Sequence, residues 1–368
     1  MNILFDIGHP AHVHMFKYSI FKLKEKGHNV LVTVKNIPSA IQLLKLFNIK
    51  FISIGKKYDS IFLKGLNQFK YDWNLFKIAN KYKIDLAIGS SISITHVSCF
   101  HKMKSIIMDD DDDDAVQLFV KFAHPFADFI LSPDALVHQR NGKKDITYAG
   151  THEMMYLHSE LFEPNKTIIN EVGLKEGDSY FVLRFVAAKA YHDISQNGLT
   201  LQQKRKIIDI IKPHGKVFIT TEREVEPEFM EYQLDISPEK IHHLLYFADM
   251  FIGDSQTMTS EAAILGTPAL KCNTFAGKLS IPNELEKKYD LCYSFQPCDF
   301  KKLIEKMEYL VSMKDKKIKW RNKVNKLYKD KINVSRFLVW LIENFPKSVY
   351  ILKENPEYQL NFRSHILL

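Results

Sequence analysis

Cysteine is scarce in this chain, four in 368 residues. Cys99, Cys272, Cys292 and Cys298 form no Cys-x-x-Cys pair and show no metal-ligand spacing. That argues against a disulfide framework or a zinc module and suits a reduced, cytoplasmic protein. No apolar stretch approaches the roughly eighteen residues of a membrane span. The chain opens directly on Asn2-Ile-Leu-Phe-Asp6, which reads as a strand, so no signal peptide is expected. An Arg-rich arm and any nucleic-acid motif are missing, so DNA and RNA are not expected partners. Internal repeats are absent, and the one low-complexity segment is Asp109–Asp114.

What is present is globular. Apolar residues make up 46% of the chain, enough for two cores at this length. The formal net charge is +8, with basic residues concentrated at 56–83, 301–306 and 314–331. Such a balance favours acidic partners, phosphorylated substrates or anionic lipid headgroups.

The most informative run is Phe251-Ile-Gly-Asp-Ser-Gln-Thr-Met-Thr-Ser-Glu-Ala-Ala-Ile-Leu-Gly-Thr-Pro-Ala-Leu270. It predicts strand, small-residue turn, helix, turn, strand. Thr257 or Ser260 can cap the helix, and Gly266-Thr267-Pro268 ends it. A helix start crowded with hydroxyls and backbone N–H groups suits an anion. Glu261, a little further on, can accept two hydrogen bonds from a ribose diol. Phosphate plus ribose means nucleotide; the plain alternative is an ordinary βαβ connection.

Strands and helices alternate through the first half: strands at 3–7, 29–34, 51–54, 86–88, 104–108 and 129–132, with helices between. Residues 150–177 show little regular pattern and read as a passage between domains. A second alternating series follows, with strands at 180–185, 216–221, 250–252, 269–272 and 291–295. Strands separated by helices imply parallel sheets covered on both faces. The expected class is α/β, with two Rossmann-like domains facing an interdomain cleft. In such sheets ligands sit beyond the carboxyl ends of the strands.

Four segments carry candidate chemistry. Gly8-His9-Pro10-Ala11-His12-Val13-His14 puts three histidines after the first strand, where His12 and His9 are candidate acid–base groups and His14 a candidate acceptor contact. Their alternative is helix capping. Asp109–Asp114 follows a strand end, with Asp109 a candidate catalytic group and Asp110 a candidate acceptor contact. That run could also hold a divalent metal or be a solvated acidic loop. Arg184 ends an apolar strand and Arg223 lies in Thr220-Thr221-Glu222-Arg223-Glu224; both could face a phosphate, or Arg184 could sit in a buried salt bridge. Lysines interleave with aromatic residues over 56–83, which suits an anionic bilayer for 56–71 and a core-facing helix for 72–82.

Three stretches carry a resemblance: Phe5-Asp-Ile-Gly-His-Pro-Ala-His12, Leu245-Tyr-Phe-Ala-Asp-Met-Phe-Ile-Gly-Asp-Ser255 and Ser260-Glu-Ala-Ala-Ile-Leu-Gly-Thr-Pro268. With the element order, they resemble the GT-B glycosyltransferase superfamily, which includes lipid II-forming N-acetylglucosaminyltransferases and, by fold, non-hydrolysing UDP-N-acetylglucosamine 2-epimerases. More narrowly the chain looks like the DUF354 group. The resemblance implies a donor ribose on Glu261 and a diphosphate on Ser255, Gln256, Thr257 and Met258. His12 lies fifteen residues before Gly27-His28, as in the lipid II-forming enzymes. The Gly-rich first loop of that family is replaced by Gly8-His9-Pro10-Ala11.

The implied domains are an acceptor domain at 1–165, a donor domain at 166–345 and a segment at 346–368 packing back on the first. The implied function is an inverting, metal-independent transfer of sugar from a nucleotide donor, UDP-sugar favoured, to a lipid-linked or polysaccharide acceptor in surface-glycan synthesis. It needs no cofactor, and a divalent metal is not favoured. The expected location is cytoplasmic, at the inner face of the plasma membrane. The alternatives are an epimerase using His and the Asp run, and a non-catalytic nucleotide-sugar sensor.

Overall fold

The computed structural model describes residues 1–56, 61–185, 199–221 and 225–364. Two compact units emerge. The first comprises 1–156 and 331–364, the second 157–330. These limits differ from the division drawn above at 165 and 345. The helix Val334–Glu343 belongs with the first unit.

The first unit holds a seven-stranded sheet: β1 (Asn2–Ile7), β2 (Asn29–Asn36), β3 (Ile52–Lys56), β4 (Leu86–Gly89), β5 (Lys104–Met108), β6 (Phe129–Pro133) and β7 (Asp145–Tyr148). All pairs are parallel, in the order β3-β2-β1-β4-β5-β6-β7. The second unit holds β8 (Tyr180–Arg184), β9 (Lys216–Thr220), β10 (Met250–Gly253), β11 (Ala269–Cys272) and β12 (Cys292–Phe295), parallel in the order β12-β11-β10-β8-β9. Central strands such as β4 and β10 are buried along their whole length, as parallel strands covered on both faces must be.

Strand order reverses between β1 and β4 in one sheet and between β8 and β10 in the other. These reversals open the crevices where α/β sheets take ligands. A glycine stands at each. A Cβ on Gly89 would lie 2.6 Å from the Asp6 carbonyl oxygen, and one on Gly253 would lie 2.2 Å from that of Arg184.

β7 was not expected, because Asp145-Ile-Thr-Tyr148 is too short to show a pattern. Its consequence is large: the segment read as a passage between domains begins instead at a strand end. The first helix is Pro10–Glu25, with Pro10 at its first position and His9 capping it. The chain then closes on the first unit. Lys331, fully buried, pairs with Asp134 at 2.7 Å, Ile332 N–H donates to the Ala149 carbonyl, and Ser335 Oγ to that of Met155.

Gly253→Ala should therefore destabilise the second unit by about 1–3 kcal/mol through forced strand separation. Thermal denaturation checks this: a fall of several degrees is expected, and an unchanged melting temperature would contradict the close approach.

Candidate functional site

At the carboxyl ends of the first sheet, the acidic run folds around one arginine. Arg140 has a side chain only 1% exposed. Its Nη2 donates to Asp109 Oδ2 at 2.9 Å and to the Asp111 carbonyl, its Nη1 to Asp113 Oδ1 at 2.5 Å, and its Nε to Ser132 Oγ. His124 Nε2 lies 2.7 Å from the same Asp109 oxygen. Asp109, Asp113 and His124 offer ligand atoms within 4.8 Å of one another. A guanidinium already supplies the cationic charge to both carboxylates. Asp109, expected to be catalytic, thus belongs to the framework of the loop. Asp112 is likewise buried and held by Gln139.

Asp110 has a different place. Its Oδ2 lies 3.0 Å from His152 Nδ1, and its side chain keeps 35% of its surface although protein surrounds it. Asp110 is thus a partly exposed carboxylate beside a buried histidine. Burial alone would push Asp110 up, but the charge and hydrogen bond of His152, with His12 adding, hold it below its usual value. In His152 the same pair acts in reverse. Burial lowers its proton affinity, and the carboxylates of Asp110, Glu153 and Asp109 more than restore it, leaving it raised. Beside them Glu153 is buried, and burial first, then Asp110, pushes its carboxyl up to about 7. His152 Nε2, Glu153 Oε2 and the Tyr148 hydroxyl are buried without a hydrogen-bond partner among the described residues. Unsatisfied buried polar atoms beside perturbed titratable groups mark a working site.

The first-loop histidines separate. His9 Nδ1 accepts from Ala11 N–H at the helix start, a capping role. His14 is buried, between the rings of Phe47 and Tyr156. His12 alone reaches the acidic cluster, through its charge on Asp110. Gly8 N–H donates to His12 Nδ1 at 3.2 Å. A backbone amide can only donate, so the neutral ring carries its proton on Nε2. His12 thus presents an Nε2–H that can donate a hydrogen bond.

The second unit presents a different surface. Helix Gln256–Ile264 follows β10 and is capped by Ser255, whose Oγ accepts from Met258 N–H; neither Thr257 nor Ser260 caps it. First-turn N–H groups have no partner within a helix, which leaves this end ready for an anion. Arg184 stands at the end of β8, half-buried, with Nη1 donating to Thr220 Oγ1 at 3.4 Å. Thr257 is exposed. Glu261 is buried and its Oε1 lies 2.9 Å from buried His242 Nε2, which fixes the carboxylate. Lys271 on β11 is fully buried, donates to Gln256 Oε1 at 2.6 Å, and is pushed down to about 8 by burial. Arg223 lies outside the described residues.

Sequence reasoning missed Arg140, His152, Glu153, His242 and Lys271. Three of these, His152, Glu153 and Lys271, carried a readable signal. Gly150-Thr-His-Glu153 follows a strand as Gly8-His9 does, and Lys271 interrupts an apolar strand as Arg184 does.

The fold defines a class, the GT-B architecture of two Rossmann-like domains shared by glycosyltransferases and UDP-N-acetylglucosamine 2-epimerases. Within it, the chain belongs to the DUF354 family, described as proteins of unknown function, whose model matches residues 1–334. It is similar to an uncharacterised protein of Methanocaldococcus jannaschii, 25% identical over 286 residues, covering 74% of this chain and 82% of that one. Its structure is similar to a putative UDP-N-acetylglucosamine 2-epimerase from Listeria monocytogenes, with TM-score 0.63 and 12% identity over 87% of this chain and 90% of that one. It is also similar to the Methanocaldococcus jannaschii UDP-GlcNAc 2-epimerase in complex with UDP-GlcNAc and UDP, with TM-score 0.62, 14% identity and coverage of 85% and 94%. The glycosyltransferase VinC in complex with dTDP aligns with TM-score 0.57 and 10% identity, covering 96% of this chain and 100% of that one.

Glu153 makes stability depend on pH. An unfolded glutamate ionises near 4.5, the folded Glu153 near 7. Between these values the folded state keeps a proton that the unfolded state has released, so raising pH through the window removes stability. Glu153→Gln should match the parent in acid and exceed it by up to about 3 kcal/mol above the window. Chemical denaturation across pH checks this; a gap of the opposite sign would contradict it.

Proposed function

We propose that the protein transfers a sugar from a nucleoside diphosphate donor, with UDP favoured, to a lipid-linked or polysaccharide hydroxyl acceptor. The observation that carries the donor half is the Ser255-capped helix beside Arg184 at the strand-order reversal of the second sheet, with Glu261 fixed by His242. The amides of Gln256 and Thr257 and the charge of Arg184 hold the diphosphate, and Glu261 accepts from the ribose hydroxyls. The donor's leaving diphosphate is stabilised by the same helix start as its bond to the anomeric carbon breaks. No metal is required by this scheme.

The acceptor half rests on the Asp110–His152 pair. Asp110 is the member a substrate hydroxyl can reach, and His152 behind it has raised proton affinity. The pair together takes the acceptor proton as the oxygen attacks, with inversion at the anomeric carbon. His12, by its Nε2–H, orients the acceptor or its phosphate. The basic net charge suits a lipid-linked acceptor in surface-glycan synthesis at the inner face of the plasma membrane. No helix among the described residues is long and apolar enough to cross a membrane.

A second reading has support of its own. Asp110, Glu153 and His152 lie close together, and an epimerase that eliminates and re-adds a diphosphate needs several such groups. Incubation with UDP-N-acetylglucosamine alone separates the two. The transferase leaves it intact until an acceptor is added; UDP or an epimer formed without acceptor supports the second reading.

At about one hundred times its dissociation constant, UDP should stabilise the protein by roughly 2.7 kcal/mol in a thermal shift, and Glu261→Ala should abolish the response. No response to any nucleoside diphosphate or its sugars would overturn the proposal. Asp110→Asn should lower kcat by about 10²- to 10⁴-fold while leaving UDP binding unchanged. Retained turnover would remove the pair from the mechanism.

A further inference from the structure

A second feature of the first unit takes no part in this chemistry. Helices Ile61–Tyr82 and Ile92–Phe100 pack together, and a groove of about 540 Å³ opens between them and Phe126. Its walls are aromatic, from Phe69, Trp73, Phe76, Phe100 and Phe126. Phe69 is 81% exposed, Phe100 84% and Trp73 58%. The 72–82 stretch, expected to be core-facing, divides: Leu75 and Ala79 enter the core, while Trp73 stands outside it. A patch of this kind marks an interaction surface, since soluble monomers rarely leave one bare.

Charge says what covers it. Segments 61–82, 92–104 and 117–126 carry seven lysines and one acid, Asp72. Lys77 lies over the Trp73 ring at 5.2 Å and Lys121 over Phe122 at 5.8 Å, so cations rim the rings. The one acid is neutralised within the groove. Asp72 Oδ2 lies 2.8 Å from His96 Nδ1, and the other nitrogen of His96 faces the Phe122 carbonyl at 2.9 Å. Both partners only accept, so both ring nitrogens carry protons and the ring is cationic. Gln68 donates to the remaining oxygen of Asp72. A second copy of the chain would set these lysines against themselves.

We propose that this groove is an interfacial docking face for an anionic lipid bilayer, the rings entering the headgroup region and the lysines neutralising lipid phosphates. It extends the acceptor half of the function proposed above and rests on that reading for its purpose. Its test needs no turnover, so each can fail alone.

The test is co-sedimentation of the full chain with vesicles of phosphatidylcholine, alone or mixed with phosphatidylglycerol. Binding is expected only to the mixed vesicles, and added salt should weaken it. Phe69→Ser with Phe100→Ser, both highly exposed and so compatible with folding, should cut partition at least tenfold. Lys70→Ala and Lys77→Ala should each cut it about fivefold, the ratio given by roughly 1 kcal/mol per lysine. UDP binding should be unchanged in all of these variants. Absence of binding to anionic vesicles, binding undiminished by both sets of variants, or a self-association lost in the phenylalanine variant would each overturn the proposal.

Discussion

Six consecutive carboxylates would extend into water unless something cationic gathered them, and Arg140 does so. Its guanidinium bonds Asp109, the carbonyl of Asp111 and Asp113, bending the run back over the end of β5. Asp110, between two clamped points, is thereby turned toward His152. The clamp is expensive on its own, because a buried guanidinium loses several kcal/mol of hydration that only well-placed carboxylates return. What it secures is geometry. Beside the clamp, His152 holds Asp110 low, while burial and then the Asp110 charge push Asp111 and Glu153 up.

The second unit uses the same architectural rule for a different purpose. Its strand-order reversal brings the end of β8 and the end of β10 side by side, and Gly253 lets the two backbones approach. One carries Arg184 and the other leads into a capped helix, so positive charge and amide dipoles converge on one place. Behind that front, His242 and Lys271 hold Glu261 and Gln256 in fixed orientations. In the proposed scheme one unit binds an anion and the other holds and moves a proton.

The parallel α/β class was legible from the alternation of apolar strands and helices, and so was the helix after β10, because burial writes itself into local pattern. Its cap was not: Thr257 and Ser260 were the candidates, and Ser255, singled out only for the diphosphate, takes the role. The proton-handling residues were not legible. Asp109 and Asp110 looked the better candidates because they lie nearest the strand, yet Arg140 and His124 draw Asp109 into the framework and leave Asp110 beside His152. His12 looked like a base until the Gly8 amide fixed its tautomer. His152 and Glu153 follow a four-residue edge strand too short to announce itself. The Asp109 clamp depends on Arg140, distant in the chain, which no local pattern encodes.

The central claim is that Asp110 and His152 form one proton-accepting pair, with the histidine bonded through Nδ1. ¹⁵N NMR of the His152 ring across pH, in the parent and in Asp110→Asn, tests it most directly. The expected result is an Nδ1–H tautomer with raised proton affinity, falling when the carboxylate is removed. An Nε2–H tautomer, or a titration indifferent to Asp110→Asn, would contradict the account.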